Sequence, residues 1–228
     1  MKPVIGIVLR PEKSPEGRNL LSIYKEVSDA IIKYGGIPIG ICPPLIESFY
    51  GKDLNSTRKL TEEEFLELKR ILDLCDGIVC QGGDEFYDYD LKIIKYAHST
   101  DKPLLGICLG MQAMSVAFNG KIERLFNLNH SKPGEKYVHE VVIKKKSKLF
   151  EIIKQSKISV NSRHKWHVVK TNLNIVGISD DNIIEAVEDS TKNFFIGVQW
   201  HPESMVNYDE IMNKLIKEFI LATSKFKH

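Results

Sequence analysis

The chain has 228 residues, a length that suits one large domain and leaves no room for two full catalytic modules, so residues 1–228 read as a single domain. Hydrophobic residues make up 43% and charged residues 27%, enough to bury a sizeable core and to exclude disorder. Lys+Arg 32 against Asp+Glu 30 leaves a net charge of only +2, too little to attract nucleic acid or an anionic membrane by bulk electrostatics.

In chain order, the first apolar run, residues 4–9, reads as a strand. Gly6 breaks it and Arg10-Pro11 stops it, so it is too short for a signal peptide core or a membrane span. Residues 20–34 have helical spacing ended by Gly35-Gly36, and 37–41 is a second strand stopped by Pro43-Pro44. Residues 51–61 are irregular. Thr61-Glu62-Glu63-Glu64 is a capping box, and Phe65, Leu68, Ile71, Leu72 and Cys75 follow at helical spacing. A buried strand at 77–81 closes on Gly82-Gly83, a helix covers 90–98, and a strand at 103–107 runs into Cys108 and a short helix at 112–118. After Gly120 the texture changes to strands at 137–143, 158–160, 175–178, 183–187 and 194–199, before a closing helix at 208–223. Lys144-Lys145-Lys146 reads as a solvated turn ahead of a helix. The expected fold is α/β: one doubly wound, mainly parallel sheet flanked by helices, flavodoxin-like, with additional strands from the C-terminal half.

The four cysteines have neither zinc-type spacing nor the density of a disulfide scaffold, so the expected compartment is the reducing cytoplasm. Cys42, Cys75 and Cys80 lie in apolar runs and read as core thiols. Gly106-Ile107-Cys108-Leu109-Gly110 differs: a strand turning abruptly into a helix between glycines has the shape of a nucleophile elbow, with Cys in place of Ser. A buried cysteine in a Gly-rich turn is the plainer alternative.

In Gln199-Trp200-His201-Pro202-Glu203, Pro202 forces His201 to be extended, so His201 and Glu203 can face one side. A carboxylate on one ring nitrogen would aim the other at a thiol; a strand-end His-Pro turn with a solvated Glu competes. Gln81-Gly82-Gly83-Asp84 can offer a backbone N–H to an oxyanion, although most Gly-Gly pairs are turns. His98, His130, His139, His167 and His228 lack a carboxylate at triad-like spacing and read as surface or core residues. Nowhere does the spacing of His, Asp and Glu suggest a metal site, and there is no phosphate loop, so neither metal nor cofactor is expected.

Taken in this order, the three motifs resemble the class I glutamine amidotransferase superfamily over nearly the whole chain. The free-standing branch typified by γ-glutamyl-γ-aminobutyrate hydrolase, peptidase C26, is the most similar. Val4-Ile5-Gly6-Ile7, His139-Glu140-Val141, Val160-Asn161-Ser162-Arg163-His164 and Ile184-Glu185-Ala186-Val187-Glu188 all resemble that branch. The resemblance implies a Cys108–His201–Glu203 triad and an oxyanion hole from the Gly83 and Leu109 amides. It also implies that Gln112 helps to hold the glutamyl group and that Asn161, Ser162 and His164 line the substrate pocket. Leu109 departs from the Arg usual in that branch, and Gln81 from its usual Pro.

The expected activity is cleavage of γ-glutamyl amides of small molecules through a γ-glutamyl thioester. One alternative is a glutaminase subunit that acts on glutamine and delivers ammonia to a separate synthase. Another is a catalytically silent binding or regulatory protein of the same fold. The expected partner is a small γ-glutamyl substrate or glutamine, with room for a homo-oligomer or a synthase partner and with no nucleic acid or membrane.

Overall fold

A computed structural model describes residues 1–126 and 129–226. The first half runs β1 (Val4–Val8), β2 (Arg10–Lys13), β3 (Asn19–Ser22), α1 (Lys25–Lys33), β4 (Ile37–Ile41) and α2 (Glu62–Asp73). β5 (Gly77–Cys80), α3 (Asp88–Ser99), β6 (Leu104–Ile107) and α4 (Leu109–Ala117) follow. The second half comprises β7 (Lys121–Arg124), β8 (His139–Ile143), α5 (Lys148–Ile153), β9 (Lys157–Val160) and β10 (Trp166–Lys170). β11 (Asn174–Ser179), β12 (Ile184–Glu188), β13 (Phe195–Val198), a 3₁₀ turn at Pro202–Ser204 and α6 (Glu210–Lys225) complete it.

Five parallel strands stand in the order β4-β1-β5-β6-β13. Numbered on their own they read 2-1-3-4-5, the flavodoxin-like order. Beyond β13 the sheet continues antiparallel through β12, β11, β8 and β9, with β10 joining β12 to β7. The fold is the α/β sheet expected, extended by strands from the second half. Its two faces bury separate cores. α1, α5 and α6 contribute Val27, Ile31, Leu149, Leu215 and Phe219 to one, while α2, α3 and α4 contribute Leu68, Leu72, Ile93, Met111 and Met114 to the other. Among the described residues, no helix is long and apolar enough to cross a membrane.

Local chemistry accounts for most boundaries. α2 opens on the expected capping box: Thr61 Oγ1 accepts from the Glu64 N–H at 3.2 Å, and the Glu64 carboxylate accepts from the Thr61 N–H at 2.9 Å. α1 ends where Gly35 takes a φ of +91°, a conformation that glycine adopts without a Cβ penalty.

Three expectations are corrected. Residues 19–22 are not the first turn of α1 but strand β3, paired with β2 in a hairpin in which Pro11 faces Leu21. The apolar pair Leu20 and Leu21 fits either period, and cross-strand pairing prevails. Strands β7 and β10 were not anticipated: β7 is polar apart from Ile122, β10 is only five residues long, and they pair mainly with each other. Cys42 is exposed just past β4, whereas Cys75 and Cys80 are buried as expected. Lys144, Lys145 and Lys146 form the exposed turn read from the sequence.

Candidate active site

Cys108 sits between β6 and α4 with φ +52° and ψ −104°, a conformation that L-residues adopt only when their surroundings force it. The forcing groups are visible. The Cys108 N–H donates to the Val198 carbonyl at 2.8 Å, extending the β6–β13 pairing, while its own carbonyl already accepts from Gln112 at 3.2 Å as α4 begins. The flanking glycines are steric necessities: a Cβ on Gly110 would lie 1.9 Å from the Cys80 carbonyl oxygen, and one on Gly106 would lie 2.4 Å from Met114 Sδ. Gly110→Ala is therefore expected to destabilise the fold by about 3 kcal/mol or more, because it is backbone that must move. The check is the midpoint of chemical unfolding; a shift within experimental error would contradict this packing.

His201 follows β13 directly, and its Nδ1 lies 2.7 Å from Glu203 Oε1. Burial disfavours the imidazolium, but the Glu203 carboxylate and the hydrogen-bonded Cys108 outweigh it and push the His201 pKa up to about 10. Both backbone polar groups of His201 are held by one side chain: its N–H donates to Asn161 Oδ1 at 2.8 Å, and Asn161 Nδ2 donates to its carbonyl at 2.9 Å. Gly82 allows close approach from the other side, since a Cβ there would stand 3.0 Å from His201 Cε1. Gln199 Nε2 reaches Cys108 Sγ at 3.5 Å. Cys108, His201 and Glu203 thus converge at the carboxyl ends of β6 and β13, where open α/β sheets place ligands.

A cavity of about 330 Å³ opens on them, lined by Tyr24, Lys25, Glu26, Gly83, Asp84, Cys108, Arg163, His201 and Glu203. A second of about 600 Å³ shares Tyr24, Gly83 and Asp84 with it and extends over Arg10, Tyr50 and Tyr87. Gly83 lines both cavities and Leu109 opens α4.

The residues expected to bind substrate are placed differently. Asn161, Ser162, His164 and Gln112 do not line the cavity that holds Cys108. Asn161 clamps the His201 backbone, Ser162 Oγ donates to the His130 carbonyl at 2.6 Å, and Gln112 Nε2 donates to the Trp166 carbonyl at 2.9 Å. The reason is burial: polar side chains 0–5% exposed must find partners inside the protein, and Asn161, Ser162 and Gln112 do. Arg163 takes the place facing the cavity, with its guanidinium on Ser204 Oγ at 2.5 Å and 3.7 Å from Glu203 Oε1.

Sequence reading missed Gln81. Its Nε2 donates to the Val8 and Ser22 carbonyls, at 2.9 and 3.0 Å, while its Oε1 accepts from the Tyr24 N–H at 3.0 Å. Gln81 therefore pins the segment that carries Tyr24 and Glu26 at the cavity rim. The remaining described histidines are core or part-exposed residues as read, with partners that sequence spacing did not reveal. His98 has a carboxylate partner, Asp189 at 2.8 Å. His130, His139 and His164 gather around the buried Glu185. Spacing hid this group because its members come from four separate segments. A signal was present in the interior carboxylate of the apolar strand Ile184-Glu185-Ala186-Val187. His228 lies outside the described residues.

Sheet order and cysteine elbow together define a protein of the class I glutamine amidotransferase fold. The chain belongs to the peptidase C26 family, whose model matches residues 87–203. A Schizosaccharomyces pombe (strain 972) protein named as a glutamine amidotransferase is 32% identical over 84% of this chain and 79% of its own. The γ-glutamyl-γ-aminobutyrate hydrolase of Escherichia coli K12 is 28% identical, covering 96% and 93%. In structure, a GMP synthase-type protein from Thermoplasma acidophilum superposes with a TM-score of 0.66 at 17% identity, covering 99% and 96%.

Proposed function

We propose that the protein hydrolyses γ-glutamyl amide bonds of small molecules through a covalent thioester on Cys108. The observation that carries this reading is the elbow cysteine facing a buried His201–Glu203 pair 2.7 Å apart. His201 takes the Cys108 thiol proton, and sulfur attacks the γ-carbonyl. The N–H groups of Gly83 and Leu109 hold the oxyanion, each worth roughly 10²–10³ in rate. The tetrahedral adduct collapses as His201 gives its proton to the leaving amine. Water, deprotonated by His201, then cleaves the thioester to release glutamate and the thiol. Side chains of both signs around the cavity, Lys25 and Arg163 against Glu26 and Asp84, suit the free α-carboxylate and α-amine of a γ-glutamyl group. The neighbouring cavity offers room for the amine that leaves.

The experiment is the purified chain against a panel of γ-glutamyl amides and glutamine, with glutamate and amine both quantified. Small γ-glutamyl amides should be turned over faster than glutamine. A chain inert on every amide that gains glutaminase activity when a synthase is added would replace this reading.

That second reading has its own support. Leu109 stands where the hydrolase branch usually has Arg. Moreover, the exposed Leu20 and Leu21 line a further cavity that shares Pro11, Glu12, Phe49 and Tyr50 with the larger one, an apolar surface where a synthase could dock.

A further inference from the structure

His130, His139, His164 and Glu185 present one ligand atom each, all within 4.8 Å of one another. Glu185 is fully buried, His130 2% exposed and His164 4% exposed. Around Glu185 Oε1, His130 Nδ1 stands at 3.2 Å, His164 Nε2 at 3.4 Å and His139 Nε2 at 3.6 Å, yet none of these atoms has a hydrogen-bond partner.

The far side of each ring explains why. His130 Nε2 faces the Asp181 carboxylate at 2.9 Å, His164 Nδ1 faces the Trp166 carbonyl at 2.9 Å, and His139 Nδ1 faces the Glu140 carbonyl at 3.4 Å. Carboxylates and carbonyls only accept, so the far nitrogen of each ring is the one that carries hydrogen. In neutral imidazoles the near nitrogens are then bare lone pairs. With the three rings neutral, three lone pairs and an anionic carboxylate aim at one buried point, and a cation at its centre relieves their mutual repulsion.

We propose that His130, His139, His164 and Glu185 form a closed four-coordinate site for a zinc-type divalent cation. Bonds of about 2.05 Å to N and O in a tetrahedron give ligand-to-ligand edges of about 3.3 Å, close to the three N···O separations around Glu185 Oε1. The wider pairs of ring nitrogens, up to 4.8 Å apart, have to close by small side-chain rotations as the ion binds. Three imidazoles with one carboxylate suit a borderline ion and not calcium or magnesium, which favour all-oxygen shells. Each ring is already oriented by an acceptor on its far nitrogen, as metal-bound histidines almost always are, and Asp181 is itself fixed by Ser179 Oγ at 2.6 Å.

The role is structural. His130 lies ahead of β8, His139 opens β8, His164 sits in the β9–β10 connection and Glu185 in β12, so the ion crosslinks the antiparallel half of the sheet. It also reaches the active site indirectly. His164 shares its segment with Asn161, which holds the His201 backbone, and with Arg163 beside Glu203.

The test uses the full-length chain, purified without chelator, and does not depend on catalysis. Elemental analysis should find about one zinc per chain, retained through gel filtration. Stripping with a chelator should lower the melting temperature, and added zinc should restore it. Cobalt(II) should enter the stripped protein with the intense visible bands of a four-coordinate ion. Glu185→Gln should lose the ion. Asp181→Asn, at a half-exposed position that folding tolerates, should weaken zinc affinity about 10–100-fold by releasing the far nitrogen of His130. A chain without stoichiometric metal, whose melting ignores added zinc and cobalt, would overturn the site. So would zinc held equally well by wild type, Glu185→Gln and Asp181→Asn, which would mean adventitious surface binding. Both results leave the γ-glutamyl assay untouched, so this site and the proposed activity stand or fall separately.

Discussion

Cys108→Ala is expected to reduce turnover of any γ-glutamyl amide to background, a loss of about 10⁵–10⁶ in kcat. The size follows from its place in the proposed pathway: without sulfur there is no acyl-enzyme, and only the oxyanion donors and binding remain. Stability should change little, since the removed atom faces the cavity and Cys108 keeps its backbone bonds to Val198 and Gln112. Mass spectrometry of a quenched reaction should show a γ-glutamyl adduct on the wild type and none on Cys108→Ala. Alkylation gives an independent check, provided that Cys42 is first replaced by Ser, because Cys42 is exposed and competes for reagent. Burial pushes the thiols of Cys75 and Cys80 up to about 11 and about 12, so neither should react near neutral pH. In the Cys42→Ser background, iodoacetamide should therefore label Cys108 alone. Faster labelling of Cys75 or Cys80 in the folded protein, or undiminished turnover by Cys108→Ala, would remove the nucleophile assignment.

What the sequence made legible was what local chemistry determines. The glycines at 106 and 110 announce a turn that no Cβ would fit, and Pro202 aligns His201 with Glu203 two residues away. Capping at Thr61 and the stop at Gly35 are equally local. The misses share a different cause, because they depend on residues distant in the chain. Leu20 and Leu21 become strand because residues 10–13 pair with them. Asn161 faces the backbone of a residue forty positions on, so an amide read as a substrate ligand serves as a brace for His201. His130 acquires carboxylate partners only when the β11–β12 turn and β12 bring Asp181 and Glu185 to it. Motifs contained in one strand–turn unit can be read directly. Constellations assembled across the sheet have to be seen folded.

His201→Ala should cost about as much as the loss of Cys108, about 10⁵–10⁶ in kcat, because nucleophile and base act as one unit. Glu203→Gln should cost less, about 10⁴, since it leaves the imidazole in place but removes the charge that orients it and stabilises its protonated form. The two variants separate further in pH dependence. Burial works against the imidazolium of His201, yet Glu203 and Cys108 raise its pKa from 6.5 to about 10. In the wild type the proton that His201 takes from Cys108 therefore stays on the imidazole through the neutral range, ready for the leaving amine, and the alkaline limb of kcat/KM should come as pH rises through about 10. Replacing Glu203 by Gln removes one of the two raising influences, so that alkaline limb should move to lower pH. Stability follows the same sign. A histidine whose folded pKa exceeds its unfolded value contributes fully below pH 6.5 and loses that contribution as pH climbs toward 10. Thermal unfolding of the wild type should accordingly lose ground between these values, while His201→Ala should show a flatter profile over the same range. An alkaline limb at the same pH in wild type and Glu203→Gln would mean that the carboxylate does not tune the imidazole. An active His201→Ala at matched folding would end its role as the base.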